Sequence, residues 1–310
     1  MVAVTGSTGL NGSYLVKALV EAGAKVRAIT HVRPANEYTK LASETVSADL
    51  MDARQASEAV RGAEVVMHGA GITGGAPLAI SEPGAMVAPN AVINSQVIHA
   101  CAKERVSRLG FISSIVVYPA LSEPMREDQA WSGEPYELYY GLAWVKRFSE
   151  KLCKFYHDNT SLKVAIIRPS GSYGRFDNFD EGTSHALPAI MKRALSGKDP
   201  LKVWGDGLDV RDYVHASDIA NGLLLSVVKY LVCDPVNIAS GEAITTKDLA
   251  QTMLDILGSK ARLEFDASKP TALRERRVDI SKAKRVLSYL PKVSLREGLA
   301  DTMGWYRGQS

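Results

Sequence analysis

The stretch VAVTGSTGLNGSYLVKAL, residues 2–19, puts three glycines between a short apolar run and an amphipathic helical pattern. Gly6, Gly9 and Gly12 are spaced as G-x-x-G-x-x-G. In a strand-to-helix turn, glycine permits a tight bend, close approach of a pyrophosphate to the backbone, and packing of the helix on the strand. Free N–H groups at the helix start then face the phosphates. The stretch predicts a dinucleotide-binding turn, although a glycine-rich turn without a ligand can have the same pattern.

The alternation of apolar runs and helical patterns continues through the first 170 residues. Apolar runs that indicate strands occupy residues 2–5, 25–30, 65–68, 109–113 and 164–168. Residues 12–24 and 56–62 have helical patterns that finish at or next to a glycine. Strands alternating with helices predict an α/β fold with a Rossmann-type, doubly wound parallel sheet.

The pattern becomes irregular after about residue 170, where loops rich in charge and glycine separate the helices. We expect a dinucleotide-binding domain over residues 1–170 and a smaller C-terminal α/β substrate lobe over residues 171–310, with some exchange of chain between them. A cleft between two such bodies is the usual place for a substrate.

Composition narrows the class of protein. The chain has 310 residues, 46% of them hydrophobic and 23% charged, with a net charge of +3. That balance fits a globular protein and is too mild to indicate a nucleic-acid partner. Three scattered cysteines without a CxxC pair indicate reduced core thiols in a cytoplasmic protein. We expect no membrane span and no export signal, because no run of about 18 apolar residues and no charged leader is present.

The residues after the second predicted strand bear on the choice of cofactor. An acidic side chain there would bond a ribose hydroxyl and repel a 2′-phosphate. Thr30 stands at this position, followed by His31 and Arg33, which can pair with a phosphate. The sequence favours NADP over NAD; the alternative is that Arg33 is a solvated loop charge.

Taken together, these motifs resemble the extended short-chain dehydrogenase/reductase family, the NAD(P)-dependent epimerases, dehydratases and reductases of nucleotide sugars. The likeness spans nearly the whole chain. Its motifs are VTGSTGLNG (4–12), SADLMDARQASEAVRGAEVVMHGAG (47–71), SSIVVYP (113–119), IIRPSGSYG (166–174) and VWGDGLDVRDYVHASDIANGLL (203–224). Within the family the pattern is most similar to the GDP-L-fucose synthases, which epimerise and reduce a GDP-4-keto-6-deoxyhexose with NADP.

The resemblance implies roles for particular residues. With the two phosphate-pairing candidates included, the expected cofactor contacts are Gly6, Thr8, Gly9, Leu10, Asn11, Gly12, His31, Arg33, Asp49, Leu50, Ala70, Gly71, Asn90, Lys146 and Pro169. The expected substrate contacts are Arg193, Trp204, Arg211 and Arg276, with His185 as the acid of an epimerisation. A homodimer through the helix that carries Lys146 and its neighbour, residues 90–104, is also implied.

The family's hydride chemistry needs a tyrosine that exchanges a proton, a lysine that lowers the tyrosine pKa, and a hydroxyl that bonds the substrate oxygen. By the likeness, Ser114 supplies the hydroxyl and Lys146 the lysine. The tyrosine should stand four residues before the lysine, but that position is Leu142.

Two tyrosines are candidates for the missing proton donor. Tyr140 is favoured, because Gly141 could let the first helical turn open and bring its hydroxyl inward. Tyr139, seven residues before Lys146, is a close second, on the same helical face but about 10 Å away along the axis. The alternative is that both tyrosines form an aromatic wall and catalysis is impaired.

Two further departures narrow the reaction. The family's dehydratases have Asp-Glu after the active-site hydroxyl, and the fucose synthases have a cysteine base two residues after it. Here Ile115 and Val116 follow Ser114, and neither can move a proton. We therefore expect reduction of a nucleotide-linked 4-keto-6-deoxyhexose. The alternatives are a 4-epimerase that retains its cofactor, and a catalytically silent dinucleotide-binding protein.

Overall fold

The computed structural model describes residues 1–269 and 273–309. Its strands are β1 (Val2–Thr5), β2 (Val26–Thr30), β3 (Glu44–Ser47), β4 (Val65–His68), β5 (Arg108–Ile112), β6 (Lys163–Pro169), β7 (Gly171–Tyr173), β8 (Leu201–Trp204), β9 (Val210–His215), β10 (Val236–Ile238), β11 (Ala243–Thr245), β12 (Leu263–Asp266) and β13 (Glu275–Arg276). Its α-helices are α1 (Leu10–Glu21), α2 (Ala53–Val60), α3 (Ala76–Ser81), α4 (Ala88–Lys103), α5 (Tyr140–Asn159), α6 (Ala186–Leu195), α7 (Ala216–Lys229), α8 (Thr246–Leu257), α9 (Ser281–Leu287) and α10 (Leu295–Arg307). Short 3₁₀ turns cover Thr39–Leu41, Ile115–Val117, Glu127–Trp131 and Glu137–Tyr139.

Seven parallel strands form the large sheet, in the order β10-β6-β5-β4-β1-β2-β3. The predicted doubly wound parallel sheet is confirmed. β1 lies between β2 and β4, so the connections leave it in opposite directions and a crevice opens at its carboxyl end. The glycine turn after Thr5 lies at that crevice.

Apolar side chains cover both faces of the large sheet, as its mostly buried strands require. On one face α1 packs against α7, with Leu15 and Leu223 fully buried. On the other face α4 packs between α2 and α5, around Ile98. The three free cysteines are buried, and burial raises their thiol pKa values, so the thiols stay protonated.

Two strands of the large sheet were not predicted. β3 is an edge strand whose residues are mostly exposed, so it lacks an apolar run. β10 has three residues and comes from the second half of the chain, where it pairs with β6. The five predicted strands are present, and their ends differ from the expected ones by at most one residue.

The chain after residue 170 contributes to two cores. Helix α7 and strand β10 pack with the large sheet, whereas α6, α8 and α10 enclose a separate core that includes Met191, Met253 and Leu299. The short strands β7, β9, β11 and β13 form a second sheet next to this core. Within the described ranges, no helix combines the length and apolar character needed to cross a bilayer.

Candidate active site

The glycine turn is packed so tightly that only glycine fits at two positions. Gly6 has φ +67°, and a Cβ there would lie 2.7 Å from the Cα of Ala70. A Cβ on Gly12 would lie 2.0 Å from the carbonyl oxygen of Gly6. Gly9 caps α1 without a side-chain bond, and the Oδ1 of Asn11 is buried without a hydrogen-bond partner. Free helix N–H groups and close-approach glycines fit a dinucleotide phosphate at this turn. The unpaired Asn11 oxygen can only accept a hydrogen bond, so it fits a hydroxyl or amide donor and not the phosphate.

A loop after β2 folds back onto the glycine turn. Asn36 donates from Nδ2 to the Ser13 hydroxyl at 2.7 Å, and the Thr39 hydroxyl donates to the Ser7 carbonyl at 2.7 Å. These bonds fix the outer wall of the cofactor crevice. Sequence reasoning missed Asn36, because its bonds to the glycine turn join residues that are 23 or more positions apart.

The residues chosen for the adenosine end of the cofactor lie outside the central cleft. His31 and Arg33 are exposed at the start of the loop after β2. Asp49 accepts the Met51 N–H at 2.9 Å, and Leu50 is buried in the core beside it. A role for these side chains toward the cofactor stays a prediction.

A cleft of about 350 Å³ separates the carboxyl edge of the large sheet from the small lobe. Thirteen residues singled out in the sequence line it: Asn11, Ala70, Gly71, Asn90, Ser114, Tyr139, Lys146, Pro169, His185, Arg193, Trp204, Arg211 and Arg276. They come from both halves of the chain, so the cleft joins the cofactor turn to the substrate lobe. Thr8 and Leu10 lie in the glycine turn, where both are half-buried.

Ser114 and Lys146 lie on neighbouring elements of the large-sheet wall. Ser114 follows β5, and its Oγ accepts the Val116 N–H at 3.2 Å. The Nζ of Lys146, on α5, donates to the carbonyl of Ile112 at 3.0 Å. Burial lowers the pKa of Lys146 to about 8, partly offset by the negative charge of Glu150. Lys146 is therefore a cation near neutrality with a weakened hold on its proton.

The structure separates the two candidate tyrosines. Tyr139 ends the 3₁₀ turn before α5 and lines the cleft, as does Leu142. Tyr140 is 47% exposed and lies edge-on to Trp144, with ring centroids 6.4 Å apart.

The expectation that Gly141 opens the first turn and brings the Tyr140 hydroxyl inward is wrong. Tyr140 has helical angles, φ −49° and ψ −53°, so that turn is closed. A Cβ on Gly141 would lie 2.7 Å from a methyl group of Val87, so this glycine serves close packing and not opening.

Arginines of the small lobe surround Tyr139. The guanidinium carbon of Arg276 lies 5.7 Å from the centroid of the Tyr139 ring. Burial raises the pKa of Tyr139, and the charges of Arg276 and Arg211 act in the opposite direction. A phenol in this position keeps its proton at neutral pH and has cations beside it that would stabilise its anion.

A buried ion pair stands behind the reactive wall. Arg168 donates to both carboxylate oxygens of Glu150, at 2.9 and 2.7 Å, and Glu150 also accepts the Ser113 hydroxyl at 2.5 Å. Arg168 further donates to the Tyr118 hydroxyl at 3.0 Å. This network ties α5 to β5 and β6 next to Ser114. The sequence contained one sign of this pair: Arg168 lies inside the apolar run IIRP, and a buried cation requires an acid partner.

Two buried asparagines position the cofactor side of the cleft. Asn90 accepts the Ile72 N–H at 2.8 Å and donates to the carbonyls of Ile72 and Met86. Its amide thereby holds the loop after β4, and the cofactor contact expected of it stays a prediction. Asn94 bonds Nε2 of His68 at 3.0 Å, and burial lowers the pKa of His68 to about 3, so that ring is neutral.

The opposite wall of the cleft is cationic. Arg193 lies over the ring of Trp204, with the guanidinium carbon 5.7 Å from the centroid. Arg211 donates to the carbonyl of the preceding residue, Val210, at 2.8 Å and pairs with Asp209 at 3.4 Å. The Nε of Arg276 is buried without a partner. Burial and the charge of Arg276 lower the pKa of His185, which keeps this ring neutral. Three arginines facing one cleft suit a diphosphate group.

Comparison with known proteins agrees with this geometry. The sequence of residues 2–239 matches the family model of the NAD dependent epimerase/dehydratase family. GDP-L-fucose synthase 1 of Arabidopsis thaliana is 31% identical, over 98% of this chain and 92% of that protein. A dTDP-4-dehydro-6-deoxy-D-allose reductase from Streptomyces sp is 28% identical, over 99% of this chain and 96% of that one.

Solved structures show the same fold. UDP-glucose 4-epimerase of Thermotoga maritima superposes with a TM-score of 0.88 at 25% identity, covering 99% of both chains. A GDP-6-OMe-4-keto-L-xylo-heptose reductase from C. jejuni superposes with a TM-score of 0.87 at 20% identity, over 100% of this chain and 98% of that one. By the match over most of its length, the chain belongs to the NAD dependent epimerase/dehydratase family.

Proposed function

We propose that this protein is an NADP-dependent reductase of a nucleotide-activated 4-keto-6-deoxyhexose. One observation carries the proposal: Ser114, Tyr139 and Lys146 line the same cleft as Arg193 and Arg211. The first three can position and protonate a carbonyl oxygen, and the arginines can hold a diphosphate. The names of two relatives support this class of substrate, a GDP-L-fucose synthase and a dTDP-4-dehydro-6-deoxy-D-allose reductase.

The cofactor fits the glycine turn on the evidence of the close-approach glycines and the unpaired Asn11 oxygen. When bound, NADPH supplies a hydride. In this proposal the turn from Gly6 to Gly12 holds the pyrophosphate, Asp49 and Leu50 lie at the adenosine, and Lys146 bonds the nicotinamide ribose. Ala70, Gly71, Asn90 and Pro169 form the remaining walls. His31 and Arg33 would receive the 2′-phosphate, which is why NADP is preferred.

The chain's own residues direct one proton. The Ser114 hydroxyl donates to the substrate carbonyl oxygen and fixes its position. The Tyr139 hydroxyl transfers its proton to that oxygen as negative charge develops there, and the neighbouring arginine charges stabilise the phenolate that remains. Ile115 and Val116 carry no titratable group, so the site has no base of the dehydratase or fucose-synthase kind at those positions. His185 is neutral and acts as a hydrogen-bond donor.

A second candidate function is a 4-epimerase that retains its cofactor. The superposition with the 25% identical UDP-glucose 4-epimerase favours it. Cofactor retained through purification, together with sugar conversion that consumes none, would establish it. Leu142 in the tyrosine position favours a third candidate, a silent dinucleotide-binding protein, for which cofactor binding without conversion of any sugar nucleotide would be the sign.

The exposed face of α5 supports a homodimer. Aromatic side chains recur along it at Tyr140, Trp144, Phe148 and Phe155, which are 47%, 36%, 51% and 58% exposed. A row of exposed aromatic side chains on one helix face suits an interface between two copies. We expect Phe148→Asp to convert the dimer to a monomer, and Lys154→Asp, on the same helix, to leave it a dimer. Size-exclusion chromatography with light scattering measures the difference.

The protein's location in the cell is proposed from its cysteines. Three buried free thiols favour a cytoplasmic location.

The function is tested by a thermal-shift screen of nucleotide sugars, each with and without NADPH, followed by an assay of NADPH oxidation. A ligand that binds the folded state raises the melting temperature by mass action. The proposal expects NADPH and one nucleotide sugar to stabilise the protein together, and the 4-keto form of that sugar to oxidise NADPH. Stabilisation by NADPH alone, with every keto sugar nucleotide inert, would contradict it.

A further inference from the structure

Arg276 and Tyr139 meet in the cleft from opposite lobes. Arg276 lies on β13, which pairs with β9 so that Arg276 stands opposite Arg211. Its guanidinium carbon lies 5.7 Å from the Tyr139 ring centroid and 5.8 Å from that of Tyr136. Both distances are within the range of about 6 Å at which a cation is attracted to an aromatic face. The guanidinium therefore lies within cation–π range of both tyrosine rings.

The lysine of the reactive set does not occupy this position. Tyr139 precedes Lys146 by seven residues, about 10 Å along a helical axis, whereas the family arrangement separates tyrosine and lysine by one turn. The Lys146 ammonium is bonded to the Ile112 carbonyl and lies 5.2 Å from the Phe111 ring centroid. Arg276, and not Lys146, is therefore the cation that lies against the Tyr139 ring.

The contacts of Arg276 leave an edge of the guanidinium free. Its Nε is buried without a partner. Arg274, two residues earlier, is exposed and donates to both carboxylate oxygens of Asp206 at 2.8 Å. The two arginines of one strand segment thus differ: Arg274 is neutralised by an acid, whereas the charge of Arg276 faces the tyrosine rings.

We propose that Arg276 is the positioning residue of Tyr139: it holds the phenol in the cleft and stabilises its anion, in place of the family's lysine. The inference rests on the proposed function, in which Tyr139 donates the proton. It makes proton transfer depend on a residue of the substrate lobe, so that the two lobes must be together for Tyr139 to react.

The charged and titratable groups around Tyr139 determine in which direction its pKa changes when the Arg276 charge is removed. Burial raises its pKa, Arg276 and then Arg211 lower it, and Tyr136 raises it. His185 stands near Arg276 and is neutral, so it contributes no opposing charge at neutral pH. Removal of the Arg276 charge therefore moves the titration of Tyr139 to higher pH.

The test is a titration of Tyr139 that needs no substrate. The protein is labelled with 3-fluorotyrosine, whose phenol ionises at lower pH than that of tyrosine, and is followed by ¹⁹F NMR, with Tyr139→Phe identifying the resonance. We expect Arg276→Gln to shift the Tyr139 midpoint to higher pH and Arg276→Lys to return it toward the wild-type value. Arg274→Gln, the matched control on the same segment, should leave it unchanged.

An unchanged midpoint in folded Arg276→Gln would overturn the proposal, as would an equal shift in the Lys and Gln variants, because the effect would then be packing and not charge. Unchanged shifts of the other tyrosines report that the variant is folded, and Arg276→Met, which keeps the length of the stem, replaces a Gln variant that does not fold. Failure of the proposed function would appear differently: the midpoint would shift as expected while Tyr139→Phe reduced no activity.

Discussion

Tyr139 and Tyr140 are consecutive residues with opposite surroundings. Tyr139 lines the cleft beneath Arg276, whereas Tyr140 is 47% exposed against Trp144 on the outer face of α5. The helix begins at Tyr140, which has helical angles, whereas Tyr139 precedes it with non-helical angles of φ −115° and ψ 21°. In our account one tyrosine moves a proton and its neighbour belongs to an exposed aromatic stripe.

Removal of the Tyr139 hydroxyl should therefore cost activity, and removal of the Tyr140 hydroxyl should not. We expect Tyr139→Phe to lower kcat by about 10²–10⁴-fold, the usual contribution of a positioned proton donor. Tyr140→Phe is the matched control and should stay within about twofold of wild type, because an exposed side chain makes no contact with the reacting atoms. The measurement is NADPH oxidation at saturating keto sugar nucleotide. The reverse ranking of the two variants would contradict the assignment.

The charge of Lys146 should make cofactor binding depend on pH. Its pKa is about 8 in the folded protein, lowered by burial, so the ammonium is present below that pH and is lost as the pH rises through it. We expect the affinity for NADPH to fall as the pH is raised past about 8. Lys146→Met should bind more weakly by about 1.5–3 kcal/mol, the value of a hydrogen bond to a charged group, and should lose this pH dependence.

Fluorescence titration of NADPH on either side of that pKa measures the effect. Lys154→Met is the control, because Lys154 is exposed and pairs with Asp158 on the same helix. The lowered pKa of Lys146 also affects stability. Between the pKa of the folded state and the higher pKa of the unfolded state, the folded protein binds fewer protons than the unfolded one. The contribution of Lys146 to the free energy of unfolding therefore rises with pH in this range. A pH-independent affinity in the wild type would contradict the role of Lys146.

The glycine turn should not tolerate a methyl group at Gly12. A Cβ there would lie 2.0 Å from the Gly6 carbonyl oxygen, so the turn must shift. We expect Gly12→Ala to destabilise the fold by about 1–3 kcal/mol, typical of overpacking, and to weaken NADPH binding further. In α10 a Cβ on Gly304 would meet nothing, so Gly304→Ala should be neutral or stabilising by up to about 1 kcal/mol. Equal melting temperatures and equal NADPH affinities for the two variants would show that the turn is not constrained.

The buried pair of Glu150 and Arg168 should control stability near the site. The two side chains are 5% and 2% exposed, so loss of one charge leaves the other uncompensated. Glu150→Gln should lower the free energy of unfolding by about 3–5 kcal/mol. Lys154→Ala, which breaks the exposed pair with Asp158, should cost at most about 1 kcal/mol. Urea unfolding, with an unchanged m-value, measures the loss of stability in each variant. Comparable losses in the two variants would contradict a structural role for the buried pair.

The local sequence pattern was sufficient to predict the features that depend on residues close together in the chain. The glycine turn, the five strands with apolar runs and the register of Lys146 on α5 could all be predicted, because each is encoded within about 20 residues. The direction of Tyr140 could not, because it depends on Gly141 packing against Val87, more than 50 residues away. The Glu150–Arg168 pair likewise forms only when α5 lies on β6.

Hydride transfer to a sugar carbonyl in this cleft can be followed with an isotope label on the cofactor. The protein is incubated with NADPH carrying deuterium at both C4 positions of the nicotinamide and with a panel of GDP- and dTDP-linked 4-keto-6-deoxyhexoses. We predict that one sugar nucleotide gains a single deuterium at its former carbonyl carbon, with one NADP⁺ formed per product. A sugar epimerised without deuterium and without NADPH consumption, or no conversion of any sugar nucleotide, would contradict the claim.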